Sequence, residues 1–270
     1  MSLQLSEIFI YPIKSLGGIS LSVAYVESRG LQFDRRMMIV DQNGIFITQR
    51  DFPQMALLKA TIRDNNLLIT HSLSNHSIIL PINPDNNTSS ERIKVKIWND
   101  ECEAVIVSKE SDEFFSDMIG IKCSLVYMPE NEFRLVDPER KYVSENHSVS
   151  FADGYPFLII GQSSLDELNR RLEIPLPMNR FRPNFVFTGG QAFEEDQWKD
   201  FLIGDIKFRA VKPCARCVIT TTDQQTAERS NEPLRTLSTF RKNGNKVLFG
   251  MNLITYNKGK VKVGDKITLL

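Results

Sequence analysis

The strongest constraint on this chain is the recurrence of short β-branched and aromatic runs, each cut off by turn residues. EIFIYPI (7–13), RRMMIV (35–40), GIFITQ (44–49), NLLIT (66–70), SIILPI (77–82), RIKVKIW (92–98) and EAVIVS (103–108) all follow this pattern. Turn signals such as Leu16-Gly17-Gly18, Asp41-Gln42-Asn43-Gly44 and Asn83-Pro84-Asp85-Asn86-Asn87 separate them. That spacing predicts an all-β barrel or sandwich rather than βαβ units. Helical patterns are few. One covers 111–119, with Phe114, Phe115 and Met118 as an apolar patch and Gly120 to end it. A second starts at Ser164, whose spacing to Glu167 suggests a capping box, and runs to 172 ahead of Pro175. A third begins with Pro233 in its first turn and passes through Leu234, Leu237 and Phe240. The Gly-Asp pairs of IGDIKF (203–208) and VGDKITLL (263–270) read as turns feeding barrel strands. The expected fold is mainly β (α+β), two β-barrel-like lobes with a few short helices. The polar stretch 129–146 marks the break, giving lobes 1–125 and 126–270.

Composition narrows the function classes. The 270 residues are 41% hydrophobic, enough to bury a full core without disulfides, and the four cysteines do not make a disulfide framework. Formal net charge is zero, so no global basic field draws the chain to nucleic acid or to an anionic membrane. Anion binding would have to come from a local cluster of Lys and Arg. The sequence has neither a signal-peptide pattern nor an apolar run of roughly 18 residues, and it reads as cytoplasmic.

The sharpest local motif is Pro213-Cys214-Ala215-Arg216-Cys217. A C-x-x-C pair can be a redox dithiol, with the first cysteine at a helix N-terminus, or half of a zinc site. It can also be one metal-ligating or reactive thiolate beside a packing cysteine, or two ordinary buried thiols. The residues that follow, Val218-Ile219-Thr220-Thr221-Thr222, favour a strand, which disfavours the dithiol. The second half of a zinc site is missing. Alternation through 31–39 places Arg35 with Phe33, Met37 and Ile39, so its charge needs an anion, either an internal carboxylate or a ligand phosphate. Lys14-Ser15 ahead of Gly17-Gly18 offers a cation, a hydroxyl and free amides, a modest anion cradle or a plain strand end. In NRFRPNFVF (179–187), alternation puts Arg182 and Asn184 on one face and Phe181, Phe185 and Phe187 on the other.

Read in order, YPIKS, FDRRM, FADGYPFLI, NRFRPN, IGDIKF, PCARCVITTTD, FG-x-N and the late VGD closely resemble MOSC-domain proteins with an N-terminal MOSC β-barrel. The nearest branch is that of the mitochondrial amidoxime-reducing component and its bacterial relatives, and the likeness runs over residues 5–270. The resemblance implies a molybdenum–molybdopterin cofactor and reduction of N-oxygenated small molecules. A separate electron-donor protein, ferredoxin-like or a cytochrome or flavoprotein, would supply the electrons. It assigns Cys217 as molybdenum ligand and Cys214 as non-ligating. Lys14, Ser15 and Arg35 would hold the pterin phosphate, and Asp153, Arg182 and Asn184 would line the pterin or metal. Arg216 and Ala215 stand beside the ligand cysteine. Gly154 takes a place where the animal proteins carry a hydroxyl. Asp153 is the candidate for proton handling or cofactor orientation. The bacterial ferredoxin domain and the animal targeting segment are absent from this sequence. Two other readings follow from the same family: a sulfur carrier using a Cys217 persulfide, and a cofactor-binding module without turnover. Pyridoxal phosphate enters only as a family association, through sulfurases whose lyase domain nothing here resembles.

Overall fold

In the computed structural model, residues 2–84, 91–136 and 147–270 are described. Among them strands dominate and three α-helices stand apart, Lys109–Ile119, Gln162–Asn169 and Leu234–Ser238. The largest sheet has nine strands. Its main path runs Ile19–Leu21, Gln4–Ile10, Phe185–Thr188, Phe157–Gly161, Lys246–Thr255, Ile206–Ala215, Asp200–Ile203 and Ile267–Leu269. Phe157–Gly161 and Phe185–Thr188 pair in parallel, so the chain between them must cross over, and helix Gln162–Asn169 makes the crossing. Their inward faces build an aromatic core in which Phe157, Phe185, Phe187, Trp198, Phe201 and Phe208 pack with Leu5 and Ile8.

A second group of strands forms from residues 37–127. Met37–Asp41, Cys123–Tyr127, Asp100–Ile106 and Arg92–Ile97 make one sheet; Leu58–Arg63, Asn66–His71 and Ser77–Pro81 make another. Period-two burial is plain in Ser77–Pro81, where Ile78 and Leu80 point inward and their neighbours outward. Helix Lys109–Ile119 closes this core with Phe115 and Ile119. Ser108 caps it by accepting the Ser111 amide, and Gly120 ends it in the left-handed conformation. The two lobes interleave in sequence. Gln4–Ile10 pairs with Phe185–Thr188, and Val23–Glu27 pairs with Gly259–Lys262. After Ile10 the chain dips to the second core with Ile13 and Leu16 and returns to the large sheet at Ile19–Leu21, and that dip carries the cleft residues Lys14 and Ser15.

Several sequence expectations are corrected. GIFITQ forms no strand: the Asp41 carboxylate accepts the Asn43 and Ile45 amides and makes a turn, leaving isolated bridges at Ile45 and Phe46. EIFIYPI is a strand only to Ile10, and RRMMIV only from Met37. The capping box at Ser164 does not exist. Helix Gln162–Asn169 is N-capped at Gly161, and the Ser164 hydroxyl instead donates to the buried Glu195 carboxylate. Val218–Thr221 is a 3-10 turn rather than a strand, because Cys217 O accepts the Thr220 amide and hydroxyl. Of the turn 83–87, positions 85–87 lie outside the described residues. Among the described residues no helix is long and apolar enough to cross a membrane.

Candidate functional site

After Ile10 the backbone is steered by side chains. Tyr11 N–H donates to Asp34 Oδ1 at 2.7 Å, and Lys14 N–H to the Met37 carbonyl at 2.8 Å. Ser15 then takes φ 69°. These bonds turn the chain and hold Lys14 and Ser15 at the bottom of a cleft. Lys14 is 6% exposed, and its Nζ donates to Phe151 O at 2.9 Å and to the Asp153 carboxylate. Burial brings the Lys14 pKa down to about 8, with Asp153 opposing the fall.

The segment Phe33-Asp34-Arg35 is a turn, not the alternating strand expected, since Phe33 and Arg35 have φ 67° and 49°. Arg35 therefore swings away from the core side of Met37 and Ile39. Its anion is Asp34 itself, 1% exposed, with Nη1 to Oδ2 at 2.6 Å. Arg35 also donates to Asn184 Oδ1 and Arg182 O, both at 3.3 Å. Arg182, at φ 55°, likewise breaks the alternation expected for 179–187; Phe181 joins a different core cluster from Phe185 and Phe187. Its Nη1 donates to Leu16 O at 2.7 Å, while Nη2 is buried with no hydrogen-bond partner. Tyr11 supports both arginines, whose guanidinium carbons lie 4.4 and 4.2 Å from its ring centre. Burial pulls the Arg182 pKa down to about 10; Tyr11 opposes this and Arg35 adds to it. Asn184 is fully engaged in the fold, accepting from Leu158 N–H and donating to Phe9 O.

Strand Ile206–Ala215 delivers the cysteines. Arg216 donates through Nη2 to Phe181 O at 2.5 Å and through Nη1 to Cys214 Sγ at 3.0 Å, and its Nε is buried without a partner. The sulfur that this guanidinium contacts is that of Cys214. Cys217 itself is half-buried at the start of the 3-10 turn. Cys102 and Cys123 are buried elsewhere, and burial pushes both thiols up to about 11. Among the described residues no group of three or more His, Cys, Asp or Glu is arranged to hold a metal ion.

The structure brings all the anticipated residues to one place. Lys14, Ser15, Arg35, Asp153, Gly154 and Arg182 line a cleft of about 180 Å³, joined by Asn184, Ala215, Arg216 and Cys217. Among the described residues lining it, five are cationic (Lys14, Arg35, Arg50, Arg182, Arg216) and Asp153 alone is acidic. Sequence reasoning missed Arg50 and Trp98. Arg50 Nη2 and Trp98 Nε1 donate to Asp153 Oδ2 and Oδ1, each at 3.3 Å. Burial alone would raise the pKa of Asp153, but Lys14 and Arg50 hold it well below the usual carboxylate range. Neither missed residue sits in a motif; the faint signal for Trp98 is a bulky aromatic in a hairpin turn.

Two family models match the chain. The MOSC N-terminal β-barrel domain covers residues 2–122 and the MOSC domain covers residues 146–268. Mitochondrial amidoxime reducing component 2 of Rattus norvegicus is 32% identical over 97% of this chain and 82% of its own length. A molybdenum cofactor sulfurase of Drosophila willistoni is 29% identical over 92% of this chain and 30% of its own length. The YuaD protein of Bacillus subtilis, a solved structure, superposes over 99% of this chain and 94% of its own at 8% identity, a loose likeness with a TM-score of 0.44. With both models in register along it and a relative at this identity over nearly its full length, the chain belongs to the MOSC family, an N-terminal MOSC β-barrel domain followed by a MOSC domain.

Proposed function

We propose that this chain is a molybdenum-cofactor-dependent reductase of N-oxygenated small molecules that takes electrons from a separate redox protein. The observation that carries the reading is the cleft's own chemistry. A half-buried thiol, Cys217, faces a ring of cations in which Arg182 Nη2 and Arg216 Nε are buried with unused N–H groups. Such orphaned donors are costly unless a ligand accepts from them. A phosphate-bearing pterin suits them, because guanidinium binds phosphate oxygens as a fork and thiolate suits a soft metal. Cys217 would ligate molybdenum, and Lys14, Ser15, Arg35 and Arg182 would hold the phosphate. Asn184, Ala215, Gly154 and Arg216 would shape the wall. The relative named as an amidoxime reducing component supports the same direction.

The bound cofactor would supply two-electron oxygen-atom chemistry. The chain's residues divide the remaining work. Asp153 stays ionised at neutral pH, held by three donors, so it orients Lys14 and Arg50 rather than delivering a proton. Lys14 Nζ, held by Phe151 O and Asp153 and brought by burial to a pKa of about 8, would present its ammonium to the phosphate. Electron delivery would fall to the separate donor protein, and the substrate would be a small molecule.

The test is reduction of an N-hydroxy compound by the cofactor-loaded protein with a chemical reductant. Cys217→Ser is expected to abolish turnover, and Cys214→Ser to retain most of it. Equal loss in both variants would remove Cys217 from its assigned role. A persulfide mass shift on Cys217 without any metal requirement would favour the sulfur-carrier reading, which the sulfurase relative keeps in view.

A further inference from the structure

A wider groove of about 850 Å³ opens beside the cleft and shares Asp153, Gly154, Tyr155, Cys214, Ala215 and Asn252 with it. Its apolar wall is built by Trp98, Phe133 and Leu135, whose exposures of 44%, 58% and 48% are high for such side chains. Of the charges along it, Asp100 accepts from Arg134 Nε at 3.0 Å and Nη2 at 2.6 Å, and Asp153 pairs with Lys14 and Arg50; Glu101, Lys212 and Lys246 also line it. Trp98 stands where groove meets cleft.

The backbone at Trp98 is unusual. Ile97 and Asp100 are register partners, so Trp98 and Asn99 form a two-residue hairpin turn. Trp98 has φ 56°, and a positive φ at the first turn position is the place that favours glycine. A bulky residue persists there only when its surroundings over-determine it. They do. The indole Nε1 donates to Asp153 Oδ1, the Arg50 guanidinium carbon lies 4.6 Å from the ring centre, and Phe46 meets the ring edge-on at 5.0 Å. The turn's backbone favours glycine at this position rather than an indole, whereas the cleft gains a donor and an aromatic surface.

We propose that Trp98 is a positioning and specificity-determining residue: its N–H fixes the Asp153 carboxylate, and its exposed ring seats a flat aromatic substrate body in the groove. The inference rests on reading the cleft as the reductase centre. The chemistry is balanced as R–NH–OH plus two electrons and two protons giving R–NH2 and water, the electrons supplied by dithionite in the assay. Two probes separate body from head: N-phenylhydroxylamine and hydroxylamine itself.

Trp98→Gly removes the indole and relaxes the turn, so the hairpin is expected to fold. It should raise the KM for N-phenylhydroxylamine by roughly three- to tenfold, the range of an aromatic contact, and leave the KM for hydroxylamine within about twofold. Trp98→Phe keeps a ring and loses the N–H; it should preserve the aryl KM while lowering kcat and moving the pH profile for both probes. Equal KM changes for the two probes in Trp98→Gly would overturn the specificity role. A Trp98→Phe enzyme with wild-type kcat and pH profile would overturn the positioning role. A second readout needs no turnover. The chain has two tryptophans, and Trp198 is only 5% exposed, so quenching by acrylamide reports mainly on Trp98. Acetanilide, flat and not reducible here, should shield that emission in the cofactor-loaded protein, and unchanged quenching would overturn the groove assignment. Wild-type protein that reduces neither probe yet shows the shielding would sink the reductase reading and spare the groove.

Discussion

Arg35 and Arg182 face the same cleft, yet they are not equivalent probes of it. Arg35 is bound to Asp34, which is 1% exposed, so Arg35→Ala strands a buried carboxylate and should destabilise the fold by about 3–5 kcal/mol. Loss of ligand in that variant would be uninformative. Arg182 has a spare Nη2, and Arg182→Lys keeps the charge while removing the fork. It should weaken pyrophosphate binding by roughly tenfold in calorimetric titration, the worth of one charged hydrogen bond; unchanged affinity would remove Arg182 from the anion site. Lys14 gives a pH test with two signs. Folded Lys14 loses its proton near pH 8, against an ordinary 10.5. Between these values the unfolded chain holds the proton and the folded chain does not, so this group's contribution to folding stability rises with pH. Anion affinity of the cleft should fall over the same window, because the ammonium is lost. Titrations at pH 7 and pH 9.5, with urea unfolding at both, check the opposed trends; parallel trends would contradict the assignment. The sequence showed that these cations need anions, but not which ones. Asp34, the immediate neighbour of Arg35, was invisible as a partner because strand alternation would have sent the two side chains to opposite faces.

Periodicity identified elements where an apolar face is buried and failed where side chains capture the backbone. Helix Lys109–Ile119 was legible from the patch of Phe114, Phe115 and Met118 and from Gly120, which supplies the left-handed end; of the patch only Phe115 is fully buried, with Ile119 beside it. Phe115→Ala should cost about 3–5 kcal/mol in urea unfolding, as expected for a fully buried aromatic, and a cost below 1 kcal/mol would contradict its place in the core. Ser164 teaches the opposite lesson. Its spacing to Glu167 imitates a capping box, but its hydroxyl accepts the Phe193 amide and donates to buried Glu195. Ser164→Ala should therefore cost about 1–3 kcal/mol, the penalty for under-satisfied buried polar groups, rather than a few tenths. The run 218–222 misled for a similar reason. Its β-branched residues favour a strand, but the Thr220 and Thr221 hydroxyls bond back to Cys217 O and Val218 O and hold a tight turn. That turn sets where Cys217 faces.

At the scale of the whole molecule, the cleft exists because the two lobes interleave. Lys14, Ser15, Arg35, Thr48 and Arg50 come from the chain's first fifty residues, and the remaining walls come from 152–252. The predominance of strands and the family could be read from sequence pattern and resemblance, and the residues that the resemblance picks out share one cleft. That the first strand joins the sheet of Phe185–Thr188 could not, since long-range partners are chosen by packing rather than by local preference. A ligand bridging both lobes should stabilise them together, by about 2.7 kcal/mol when present at a hundred times its dissociation constant. The central claim is that Cys217 holds molybdenum in this cleft. Its most direct test is the molybdenum-to-protein ratio of the wild type, Cys217→Ser and Cys214→Ser, each purified from a host that makes the cofactor. The prediction is a near-equimolar ratio in the wild type and Cys214→Ser, and metal lost in Cys217→Ser. A well-folded wild type without molybdenum, or metal that survives in Cys217→Ser, would contradict it.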